Sequence, residues 1–188
     1  MDNAPGPKRI TVTICVMPTE AECPDLDSWD IADPALLIEQ IAHHHPMTPG
    51  AVLFALVNHP STDQDIVHVE RLPIDCRGPV PDDLSQQLCD AMDRLPLPEK
   101  SHPILHTLVT VIVRSGFTVL GQKELEWMLG WRYSNHFRPA FTGDLILVTE
   151  HGWLDWRTGW GGHEPRMFVS PTRTIYGSRT AYMAAKAD

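Results

Sequence analysis

The side chains most able to do chemistry crowd into one stretch of the chain. Between 131 and 166 it carries Trp131, Arg132, His136, Glu150, His151, Trp153, Trp156, Arg157 and His163. Five of the six tryptophans fall between 127 and 160. Indole faces beside a guanidinium suit a flat ligand with a negative charge, the rings stacking and Arg132 or Arg157 pairing the anion. Histidines with carboxylates suit proton transfer, and two histidines plus one carboxylate suit zinc or iron. A metal here would draw on His136, Glu150, His151, His163 and Glu164, but no HExxH or HxH pattern joins them. We therefore take these nine residues as ligand-binding candidates, with no catalytic role, metal or cofactor assigned. The competing reading is structural: Trp127 and Trp131, at i and i+4, pack a helix on a sheet, and the later tryptophans cover a sheet edge.

Other chemistries find less support. Ser134 and His136 are close in sequence, but a helix turns i and i+2 to different faces, so they do not form a nucleophile–base pair. No GxSxG elbow occurs. Neither GxGxxG nor GxxxxGK[ST] is present, and Gly159-Trp160-Gly161-Gly162 lacks a strand–helix context for cradling phosphate. Cys15, Cys23, Cys76 and Cys89 form no CxxC pair and read as free thiols of a reducing compartment. The run His43-His44-His45 reads as a solvated helix end, where the C-terminal dipole favours histidine. Asn58-His59-Pro60-Ser61, after an apolar strand and with Asp65 nearby, resembles a fragment of the metal motif of JAB/MPN-type proteins. The likeness covers fewer than ten residues. That family's first motif histidine would fall near Val57, which cannot bind metal, so no residue is carried over from it.

Composition narrows the class. Of the 188 residues, 43% are hydrophobic and 21% charged, the balance of an ordinary globular domain. Residues 1–100 hold 17 acidic and 6 basic side chains, a net of −11, whereas 101–188 hold 7 and 9, a net of +2, giving −9 for the chain. An acidic chain repels phosphate backbones, which argues against nucleic acid as a partner. The longest fully apolar run, Ala51 to Val57, is too short to span a bilayer, and the first nine residues hold no apolar signal region. The expectation is a cytoplasmic protein without a membrane partner.

Elements that would position the candidate residues can be read from periodicity. Ile10, Val12, Ile14 and Val16 alternate with polar neighbours as a strand with one buried face. Asp33-Pro34 starts a helix bearing Leu37, Ile38, Ile41 and Ala42. Residues 51–57 read as a central strand, 66–72 as its hairpin partner, and 84–95 as an amphipathic helix. After a proline-rich connector at 96–105 come a strand at 107–113, a short returning strand at 117–120, a helix at 122–137 and a strand at 145–149. We expect one globular domain over 1–188, with halves at 1–95 and 106–169 and a frayed C-terminal tail. The fold expected is α+β, or mixed α/β. It would be a two-layer sandwich with a mixed or antiparallel sheet of four to six strands and about three helices.

Two functions follow. The first is a binding or interaction domain, a homodimer or a protein-partner module, using a Trp-rich surface around 127–160. The second is a small-ligand hydrolase, metal-dependent or not, with its site in 131–166. An interface would expose the tryptophans; a catalytic site would bring polar groups together in a concave pocket.

Overall fold

The computed structural model describes residues 29–97, 105–134 and 140–167. The strand expected over 10–16 and the far end of the helix expected over 122–137 lie outside the described residues. Among the described residues three helices, α1 (Pro34–His44), α2 (Leu84–Asp93) and α3 (Gln122–Tyr133), accompany six strands. These are β1 (Val52–Asn58), β2 (Asp65–Arg71), β3 (His106–Val113), β4 (Ala140–Thr149), β5 (Gly152–Asp155) and β6 (Gly161–Gly162). The strands form one mixed sheet in the order β2-β1-β3-β4-β5-β6, an α+β fold with the strand and helix numbers expected from the sequence. Only β3 and β4 run parallel, joined through α3; every other pair is antiparallel. Among the described residues no helix is long and apolar enough to cross a membrane.

The apolar runs are explained by cover on both faces of the sheet. Val52, Phe54 and Leu56 of β1, Leu108 and Ile112 of β3, and Leu145 and Leu147 of β4 face α2 and α3. The alternate residues, Leu53, Ala55, Val57, Val109, Val111, Val113, Ile146 and Val148, pack with Leu37, Ile38 and Ile41 of α1. Asp33 caps α1 by accepting from the Leu36 N–H at 3.0 Å, and Pro34 occupies the first turn, where its missing donor is harmless.

Residues 117–120 are a loop rather than the short strand their residue types suggest. Arg114 is the reason. Its guanidinium donates to the carbonyls of Ser115, Phe117 and Val119, so the chain wraps around one side chain instead of pairing with a strand. The same guanidinium donates to Glu124 Oε1 at 2.7 Å, while Glu124 Oε2 accepts from the Gly121 N–H at 2.6 Å and caps α3.

Gly152 opens β5 with φ 129°, and a Cβ there would lie 2.0 Å from the Gly162 carbonyl oxygen. Gly152→Ala therefore strains the backbone and pushes β6 away from β5. Strain alone costs about 1–3 kcal/mol. Urea denaturation is expected to show a lower midpoint for the variant; an unchanged midpoint would contradict the close approach.

Candidate functional site

The carboxyl ends of parallel strands are where open α/β sheets place ligands. Here that end, at Val113 and Thr149, holds Glu150 and His151, but its polar groups are turned on one another. Both Glu150 oxygens accept from the Gly116 N–H, at 3.0 and 3.1 Å. Hydrogen bonds from its own backbone N–H and from Gly116 hold the Glu150 carboxyl below its ordinary range. His151 is exposed and stacks on Phe117, the ring centroids 6.0 Å apart. Thr118 and Thr149 share a hydroxyl–hydroxyl bond of 2.8 Å. These contacts fix the β3–α3 loop to the β4–β5 turn.

The tryptophans divide by depth. Trp127 is 1% exposed and belongs to the core under α3. Trp131 is half-buried, stacks on Phe54 with centroids 5.4 Å apart, and donates to Thr110 Oγ1 at 2.7 Å. Trp153 is buried on the opposite face and donates to the Glu164 carbonyl at 2.8 Å. Trp156 packs partly buried against the α2–α3 side. Trp160 alone of the five is mostly exposed, at 60%. Arg132 is exposed in the last turn of α3, and Arg157 donates to Asp30. His163 is exposed; its backbone lies against Gly152, next to His151. His136 lies outside the described residues. Among those residues no three His, Cys, Asp or Glu side chains are grouped to hold a metal ion. The chain matches no protein-family model, no curated protein and no solved structure.

Two features escaped the sequence reading. The first is on α3, which buries Glu124, Trp127 and Gly130 and turns Leu125, Leu129 and Tyr133 outward, 40%, 47% and 65% exposed. Val119, just ahead of the helix, is also exposed. Gly130 is what admits this rotation: it lets α3 lie close against Leu84 of α2, and its carbonyl accepts from Ser85 Oγ at 3.1 Å.

The second feature is a set of buried polar atoms with no hydrogen-bond partner. Asn58 Oδ1 and His106 Nδ1 lie on residues that face each other across β1 and β3. Burial, then the neighbouring His59, lowers the pKa of His106. Both oxygens of Asp144, 3% exposed on β4, also lack a partner. Burial chiefly, then the charge of Asp155, pushes the Asp144 carboxyl up to about 8, against the pull of Arg157. Period-two alternation with Ile146 and Val148 was the available signal, since it puts Asp144 on their inward face.

Proposed function

We propose that this protein is a homotypic interaction domain whose contact surface is the outer face of α3, with a second copy of the chain as its partner. One observation carries the reading: Leu125, Leu129 and Tyr133 form an exposed apolar row at i, i+4 and i+8. Rows of this spacing are the ridges by which two helices interlock, and an identical ridge on a second copy supplies a matching surface. Charge favours the same occupant. Lys123 and Arg132 balance Glu124 and Glu126, so the helix is neutral in a chain of net −9. A contact centred on α3 brings two neutral helices together, which like charge opposes less than a contact through an acidic surface. The thiols of Cys76 and Cys89, both unpaired, fit association in a reducing, cytoplasmic setting.

Of the tryptophans, Trp160 stands nearest to the role first expected for the Trp-rich stretch, and the α3 row takes over as the principal contact. The hydrolytic alternative draws on Glu150 and His151, but Glu150 is engaged with the Gly116 amide. The α3 reading therefore has the stronger physical support.

A charge within the row tests it. In multi-angle light scattering, Leu129→Glu should be monomeric at concentrations where the unaltered protein is dimeric. Leu36→Glu, at an exposed leucine on α1, should keep the dimer. Equal masses for the unaltered protein and Leu129→Glu would remove the α3 face from the account.

A further inference from the structure

Asp144 sits where a second carboxylate contends for one guanidinium. The β4–β5 register pairs Ile146 with Asp155, and the hydrogen bond from the Trp156 N–H to the Leu145 carbonyl, 2.9 Å, carries it onward. Arg157 is thereby brought alongside Asp144. Its Nε donates instead to Asp30, 127 positions away in sequence, in the segment leading into α1. Asp155 is occupied otherwise: Oδ1 accepts from the Arg157 N–H at 2.9 Å and Oδ2 from the Thr158 hydroxyl at 2.6 Å, closing the β5–β6 turn. Among the described residues, the charged groups acting on Asp144 are Asp155 and Arg157 from β5 and its turn and Asp30 from the segment before α1. On its other side β3 presents Val109, which has no charge.

We propose that Asp144 and Asp30 compete for Arg157, so that loss of the Asp144 proton draws Arg157 inward and loosens the segment leading into α1 from the β5 edge. With Asp144 neutral, its oxygens make no claim on the guanidinium, and the Arg157–Asp30 pair tethers the segment in which Trp29 and Ile31 are buried, 6% and 2% exposed. Once ionised, Asp144 is a buried charge on which Arg157 acts as the cation among the described residues, and desolvation makes that pairing far stronger than the half-exposed one with Asp30. The proton leaves to solvent, and Arg157 stays charged throughout. The far side of the segment stays anchored, because the Ala32 N–H donates to the Pro60 carbonyl at 2.9 Å and Gln64 Nε2 to the Asp33 carbonyl at 3.2 Å. The loosening is therefore confined to the residues nearest Asp30.

Carboxyl-carbon and guanidinium-nitrogen NMR across about pH 6 to 10 tests the switch. In the unaltered protein the Asp144 carboxyl should titrate near 8, and the Arg157 Nε and the amides of residues 30 and 31 should shift with the same midpoint. In Asp144→Asn those shifts should vanish. An Asp144 carboxyl that titrates near the ordinary value of about 4 overturns the proposal. So does an Arg157 signal that stays flat while Asp144 ionises, or one that moves equally in Asp144→Asn. The Asp144 carboxyl and Arg157 Nε readings both need only the unaltered protein, so together they decide the matter even if the variant folds poorly.

Discussion

Replacing Trp127 with alanine should destabilise the protein by about 3–5 kcal/mol. Trp127 is among the largest fully buried side chains and packs where α3 meets α2 and the sheet. Two terms add. The lost indole removes apolar area from the core, and the surrounding Leu84, Leu88 and Met92 cannot collapse fully into the space. The close approach of Gly130 to Leu84 holds the helices in place and limits that collapse. Urea denaturation followed by circular dichroism should show a greatly lowered midpoint. Trp160→Ala is the control: its ring is 60% exposed, and stability should change by no more than about 0.5 kcal/mol. Similar losses in both variants would mean that Trp127 is not the core residue described.

Arg114→Ala has a comparable effect by a different route. Glu124 has only 2% of its side chain exposed, and Arg114 is its charged partner. Burial pushes the Glu124 carboxyl up, but the Arg114 hydrogen bond and the Gly121 N–H outweigh it and hold the carboxyl below its ordinary value. Removing the guanidinium leaves a buried carboxylate without its cation, which costs about 3–5 kcal/mol. The loop at 115–119 loses its anchor at the same time. The sign of the pH dependence follows. In the unaltered protein the pair's stabilisation is present above the unfolded pKa of Glu124 and is lost as pH falls through the depressed folded value. In Arg114→Ala the largest influence lowering the Glu124 pKa is gone, so the folded value rises relative to the unaltered protein and the stabilisation gained above it shrinks. The gap in stability between the two proteins should be wide at pH 7 and should narrow towards about pH 4. A gap independent of pH would show that Arg114 acts through the loop carbonyls alone.

Much of the framework was legible because burial on both sides leaves an unmistakable run. Residues 51–57 and 107–113 contain no side chain that needs water, so their place at the centre of the sheet could be read directly. Helix α1 announced itself through Asp33-Pro34. Helix α3 disclosed its buried side only as one of two readings, Trp127 and Trp131 packing it on the sheet, because Leu125, Met128, Leu129 and Tyr133 also surround it and no apolar stripe stands out. The rotation depends on Gly130 meeting Leu84 and on Glu124 turning inward to Arg114, contacts between residues distant in sequence. Residues 117–120 have strand-like types, but local propensity yields to three hydrogen bonds from one arginine. Among the candidate site residues, sequence proximity overstated their convergence. Trp131 and Trp153 lie on opposite faces of the sheet, and Arg157 reaches back to Asp30, a pairing no local pattern encodes.

Self-association through α3 is the property proposed for this protein. Sedimentation equilibrium of the unaltered protein over a wide concentration range tests it directly. Because the chain is 21.1 kDa, the fitted mass should climb towards twice that value as concentration rises. A mass that stays at 21.1 kDa across the whole range would contradict it.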